Sequence, residues 1–272
     1  MRLSALLRLR SWQILFFLGL SLTIASAQLS DRATAATPET APAELKQVLS
    51  KIDAAANSRN AQAVLQFYSP NFTHSDGLNR QSLEQSLTQL WKQYSNLTYK
   101  TELQSWQPSS NGFQAETVTR ITGTQAQNGQ QVKLDATLRS RQQFQNQKIV
   151  KQEILSEKNL ITTGDKPPSV NINLPDQVRV GQEFSFDAIV QEPLENDLLL
   201  GTVVQEAVNS AGYLKPATAD LDVLNSGGLF KIGKAPNQAG AQWISAVLVR
   251  HGGMTMVTQR LNVVAGSTRP AR

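Results

Sequence analysis

Between Ala43 and Ala56, the residues Leu45, Val48, Leu49 and Ile52 recur at spacings of three and four, which puts them on one stripe of a helix. A shorter helix is predicted over Asn60 to Tyr68, where Val64, Leu65, Phe67 and Tyr68 are apolar. Ser69-Pro70 closes it, because the residue before a proline avoids the helical region. Beyond a turn at Ser75-Asp76-Gly77, Leu83, Leu87, Leu90, Trp91 and Tyr94 predict a third helix starting at Gln81. The period then shortens to two. Leu97, Tyr99, Thr101 and Leu103 alternate with Thr98, Lys100, Glu102 and Gln104, and runs at Phe113 to Thr124, Gln131 to Gln143 and Lys148 to Ser156 follow. Turns at Asn111-Gly112, Asn128-Gly129 and Gln145-Asn146-Gln147 separate them, so antiparallel hairpins are expected. Helices followed by strands predict an α+β domain over 45–160, with helices on one face of the sheet.

Patterning breaks between 161 and 168, where Gly164 and Pro167-Pro168 predict a stiff exposed linker. From 169 to 265 only strands are expected, at 170–174, 178–190, 198–208, 219–223, 228–232, 241–250 and 254–264, the last two flanking His251-Gly252-Gly253 as a hairpin. Phe184, Phe186 and Trp243 are expected to point into that domain's core, and each domain is expected to fold by itself. Residues 266–272 form a tail.

The first 27 residues read as an export signal: Arg2, Arg8 and Arg10, then an apolar run from Ile14 to Ala25, then Ala25-Ser26-Ala27 as a cleavage site. A flexible lead-in rich in Ala, Thr, Ser and Pro follows over 28–44. The expected location is extracytoplasmic, with no membrane attachment once the signal is removed. The chain has no cysteine, which excludes disulfides and a thiolate nucleophile. A formal net charge of +5, part of it in the signal, is too small for a nucleic-acid footprint.

The segment Phe67-Tyr68-Ser69-Pro70-Asn71-Phe72, followed by Ser75-Asp76-Gly77 and the helix from Gln81, resembles the NTF2-like family, also called SnoaL-like or ketosteroid-isomerase-like. The resemblance implies an α+β cone over 45–160, three helices against a bent antiparallel sheet. Val178-Arg179-Val180-Gly181-Gln182-Glu183-Phe184 is similar to the opening of bacterial immunoglobulin-like domains and implies an all-β sandwich over 169–265.

In the ketosteroid-isomerase branch the position of Asp76 implies a general base. That chemistry needs donors for the enolate, and counting along the resemblance puts Ile52 and Ser140 where the branch has a tyrosine and a neutral aspartic acid. Asp76 also suits a turn residue capping the loop before Gly77, a role in which Asp76→Asn is expected to be silent. His74 lies two residues away and could face the same side as Asp76, but the other histidine, His251, belongs to the second domain, so no metal site is expected. No cofactor motif is present; the phosphate loop and the G-x-S-x-G elbow are both missing.

Alternation in the third strand turns Val132, Leu134, Ala136, Leu138 and Ser140 inward. It leaves Lys133, Asp135, Thr137, Arg139 and Arg141 outside with Glu116 and Arg120, as a face laced by ion pairs or meeting a second subunit. Tyr68, Trp91, Tyr94, Tyr99, Leu103 and Ser140 are the expected lining of the cone, as a pocket for a small apolar ligand or as plain filling. The function expected is an exported, non-catalytic binding or assembly protein. Its first module would bind a small ligand or form a homodimer through its sheet, and its second would face a protein partner. The alternative is an exported isomerase or lyase with Asp76 as base.

Overall fold

The computed structural model describes residues 35–94, 96–127, 129–195, 197–213, 220–224 and 226–266. The expected export signal and cleavage site, the start of the expected lead-in and most of the expected tail lie outside the described residues.

Helix α1 spans Ala43–Asn57, α2 Ala61–Leu65 and α3 Arg80–Gln93. Asn60 caps α2 by accepting the Ala63 N–H at 2.9 Å, and Asn79 and Ser82 cap α3 reciprocally. The second helix stops earlier than predicted because strand β1, Tyr68–His74, begins where its apolar pattern ends. Pro70 is tolerated inside β1 because a bulge interrupts the pairing between Tyr68 and Thr73. Four long strands follow: β2 Asn96–Ser109, β3 Gly112–Gln127, β4 Gln130–Gln145 and β5 Lys148–Thr163. The second half adds β6 Val170–Asn173, β7 Gln177–Arg179, β8 Glu183–Val190, β9 Leu199–Ala207, β10 Asp222–Leu224, β11 Gly228–Lys234, β12 Gly240–Arg250 and β13 Gly253–Val264.

These strands do not build a cone followed by a separate sandwich. Among the described residues the fold is mostly β, 57% strand against 17% helix, and ten strands share one sheet. Its path is β10-β9-β12-β13-β5-β4-β3-β2, with β1 on β5 and β7 on β13. The expected α+β cone with its all-β neighbour is thereby corrected. The reason is β5, which runs on to Thr163, past Ser156, and pairs there with β13 from Gln259↔Lys158 to Met254↔Thr163. The first three residues of the expected linker are therefore strand. The rest packs on the β12–β13 hairpin, where the Lys166 N–H donates to the Gly252 carbonyl at 2.9 Å. Gly164, at φ +94°, is required there, since a Cβ would lie 2.5 Å from the Gly252 oxygen.

Two cores form on opposite faces of the sheet. The first joins α1–α3 to β1–β5 around Leu45, Val48, Tyr68, Phe72, Phe144 and Ile149. Asp53 and Asn57 of α1 fix that layer by hydrogen bonds to the backbone of Thr101 and Tyr99, at 2.7 and 2.8 Å. The second core lies between the long sheet and a three-stranded sheet, β11-β8-β6. Phe184 and Phe186 are buried there beside Ile244, Ala246, Leu248, Leu261 and Val263. Strand parity decides the faces. Ile161 packs on the first core, Glu157 shares its side of β5, and the β13 register puts Arg260 on that side too. Trp243, paired with Arg260, therefore also faces away from the second core, contrary to expectation.

Candidate functional site

The Asp76 turn meets Arg260 because two strands share one edge of β5 from opposite ends. β1 runs parallel along it as far as His74↔Gln152, and β13 comes down antiparallel past Gln259↔Lys158. They converge near Ile154, whose N–H donates to Ser75 Oγ at 3.2 Å, while the Ser75 N–H donates to the Gln152 carbonyl at 2.9 Å. Gly77, at φ +78°, allows the turn that closes by its N–H donating to the His74 carbonyl.

The Asp76 side chain is 4% exposed and both of its oxygens are taken. Arg260 donates from Nη1 to Oδ1 at 3.1 Å and from Nη2 to Oδ2 at 2.6 Å, a bidentate pair. Tyr213 donates to Oδ2 at 2.6 Å and Ser75 to Oδ1 at 2.9 Å. Arg260 Nη2 also reaches Glu157 Oε2 at 3.3 Å. That oxygen accepts the Trp243 indole N–H at 2.9 Å, and Asn159 donates to Glu157 Oε1 at 3.0 Å. The Tyr213 ring stands edge-on to Trp243 at 4.9 Å. Two carboxylates, one guanidinium, a phenol and an indole thus close a buried cluster joining residues from both halves of the chain.

Burial by itself would raise the Asp76 carboxyl. The hydrogen bonds and charge of Arg260, then Tyr213, outweigh it and hold the group below the usual carboxylate range. Burial and the two nearby carboxylates push the Tyr213 phenol far up, so it remains a donor. His74 accepts the Asp76 N–H on Nδ1 at 3.1 Å, which leaves its proton on Nε2. Burial lowers its pKa, Asp76 opposes that, and Arg260 adds to the lowering.

These directions fix a pH dependence. An unfolded histidine titrates near 6.5 and the folded His74 below that, so between the two values only the unfolded chain holds the extra proton. The His74 contribution to stability is full above pH 6.5 and is lost as pH falls toward the folded value. A second loss follows below about 3.8, as Asp76 approaches protonation. Urea midpoints should therefore fall between about pH 7.5 and 5, and less so in His74→Asn. Equal midpoints would show that His74 is not held neutral.

The other expected residues lie elsewhere. Tyr68, Tyr94 and Tyr99 are buried in the first core and Trp91 and Leu103 pack against it; Trp91 donates to the Tyr99 hydroxyl at 2.9 Å. Ser140 is buried and bonds the Thr117 hydroxyl at 3.2 Å. A recess of about 430 Å³ opens instead on the opposite face of the sheet, among Asn96, Thr98, Thr122, Thr124, Lys133 and Asp135. A smaller one of about 200 Å³ lies at the connector, among Lys166, Glu192, Arg250 and His251. The expected ion-pair lacing is present, with Glu116 between Arg139 and Arg141 at 2.8 and 2.7 Å and Arg141 reaching Glu153 at 3.3 Å. Nothing in the sequence singles out Arg260, Glu157 or Tyr213, and Trp243 is expected in the second core instead. The one signal that points to them is strand register, which seats Trp243 beside Arg260.

Residues 165–264 match a family model described as Domain of unknown function (DUF8623). No curated protein matches the chain. Solved structures resemble part of it at low identity. Bd1075 of Bdellovibrio bacteriovorus is 15% identical at a TM-score of 0.30, over 41% of this chain and 40% of Bd1075, so the chain spans two fifths of that protein's length. Bal32a, from a soil-derived mobile gene cassette, is 14% identical at 0.30, over 41% of this chain and 87% of its own. An NTF2-like protein of unknown function from Exiguobacterium sp. 255-15 is 21% identical at 0.28, over 41% of this chain and 95% of its own. These likenesses assign no activity.

Proposed function

We propose that this chain is an exported, non-catalytic binding or assembly protein whose second half faces partners and is fixed to the first through Asp76. One observation carries the reading: both Asp76 oxygens are engaged by donors of the protein itself. A general base needs a free lone pair directed at a substrate and a proton affinity near the working pH. Asp76 has an arginine on both oxygens and a carboxyl held below the usual range. His74, whose Nδ1 accepts a backbone N–H, offers no replacement. The test is proton exchange and isomerisation of a panel of small ketones by the purified protein. Rates equal to buffer are expected; turnover well above buffer that disappears in Asp76→Asn would make the chain an enzyme.

A further inference from the structure

Strand β11 ends the three-stranded sheet, and among the described residues no strand pairs with its outer edge. Two backbone bonds just beyond its ends set the direction of every group along it. The Val190 N–H donates to the Gly227 carbonyl and the Ala235 N–H to the Gln182 carbonyl, both at 2.9 Å. The pairs that bond across to β8 are therefore Leu229↔Ala188, Lys231↔Phe186 and Gly233↔Phe184. The N–H and C=O of Phe230 and Ile232 point away from β8, and no hydrogen bond among the described residues takes them. Their side chains stand on the outer face, turned away from the buried Leu229, with Phe230 56% and Ile232 77% exposed. The strands at the other sheet ends are shorter or covered: β6 and β10 have four and three residues, and β2 is bridged by Ala36 at Trp106 and bonded by Asp53 and Asn57 of α1. β11 runs for seven residues with no proline or bulge to blunt it.

We infer that this edge takes an extended segment of another protein as an added strand, one in which acidic side chains alternate with apolar ones. The backbone names the kind of occupant. Two donors and two acceptors in one row are the complement of another strand's backbone, not of a helix, whose own groups bond internally. The side chains name its sequence. A residue opposite Phe230 or Ile232 lies on their face, where an apolar side chain packs, while the residue opposite Lys231 lies on the other face. Lys231 and Lys234 are exposed, and neither is ion-paired among the described residues; Glu183, across from Lys234, does not reach it. The carboxylate beside Phe230, Asp187, is engaged by the Asn173 amide at 3.1 Å. Acidic side chains on the added strand would meet both lysines. A second copy offering its own β11 would instead set four lysines in one ladder of seven residues, where like charges repel. The inference rests on the assembly reading proposed above, in which the second half faces partners. Ketone turnover tests that reading and peptide binding tests this one, so the two can fail separately.

The experiment is calorimetric titration of the purified full chain with a capped peptide of about seven residues that alternates valine with glutamate, and with its counterpart carrying lysine for glutamate. The glutamate peptide is expected to bind with a dissociation constant below about 1 mM, and the lysine peptide at least about tenfold more weakly. Lys231→Glu should reverse that order. Ile232→Pro removes an N–H that the fold does not use, so circular dichroism should be unchanged while the glutamate peptide binds at least about tenfold more weakly. Where Ile232→Pro loses its fold, the charge reversal at Lys231 decides. No binding up to about 1 mM, equal binding of the two peptides, or undiminished binding by folded Ile232→Pro overturns the inference. So does a dimer of the chain alone, seen by sedimentation and lost in folded Ile232→Pro, which would give the edge to a second copy.

Discussion

Replacing Arg260 by methionine is expected to lower stability by about 3 to 5 kcal/mol, the usual cost of removing one partner from a buried ion pair. The size follows from what remains. Asp76 and Glu157, with side chains 4% and 6% exposed, would be left in the cluster without the guanidinium that neutralises them. A loss below about 1 kcal/mol, the range of exposed pairs, would mean the cluster is solvated. The variant should also change its response to acid. In the native protein the Asp76 carboxyl is held low, so protonating it costs stability. Without Arg260 burial would dominate, and a folded pKa above the unfolded value makes the unfolded state bind fewer protons in that window, so stability rises as pH falls through it. Urea melts of both proteins read this on the two sides of about pH 3.8: the native protein loses stability below it, and the variant gains stability as pH falls toward it from above. By the same reasoning Asp76→Asn, silent under the turn-capping reading, is now expected to destabilise, because the turn could keep its hydrogen bonds but Arg260 would lose its main counter-charge.

The second large effect concerns the two halves. The full chain is expected to unfold in one transition, with tryptophan fluorescence, which reports Trp91 and Trp106 in the first half and Trp243 in the second, and far-ultraviolet circular dichroism giving the same midpoint. Two features couple the halves: the β13–β5 ladder between Met254↔Thr163 and Gln259↔Lys158, and the Arg260 cluster. The described residues of the two halves accordingly form a single compact unit. A fragment ending at Thr163 loses both features, exposes the outer half of the β5 edge, and should be less stable than the full chain by at least the 3 to 5 kcal/mol of the cluster. Two resolved transitions, or a fragment as stable as the whole, would restore the picture of independent modules.

Much of the secondary structure was readable because its signals are local. The stripe of Leu45, Val48, Leu49 and Ile52 names the buried side of α1, and alternation in β4 correctly separates Val132, Leu134 and Ala136 from Lys133 and Asp135. Phe184 and Phe186 were likewise placed by period alone. Errors arose where the deciding partner is remote. Tyr68, Pro70 and Phe72 do alternate with Ser69, Asn71 and Thr73, but Pro70 argues locally against a strand; the segment pairs because β5 offers an edge about 80 residues later in the chain. Trp243 lies on the face opposite to the expected one because β12 is apolar on both sides, and such a strand has no alternation to read.

The sequence by itself determined the three helices, the long hairpins, the charged outer face and the aromatic interior of the first half, since each depends on periods within about a dozen residues. Only the tertiary structure decided that the two halves share one sheet, because that depends on which edge of β5 remains open after β1 has used part of it. The same competition for an edge decided the role of Asp76. A turn residue in sequence, it becomes the anion of a buried cluster because β13 ends its pairing with β5 beside the turn and brings Arg260 within 2.6 Å. Cross-strand register seats Trp243 beside Arg260 and puts Glu157 on their side, two turns bring Asp76 and Tyr213 to them, and no pattern along the chain encodes that meeting.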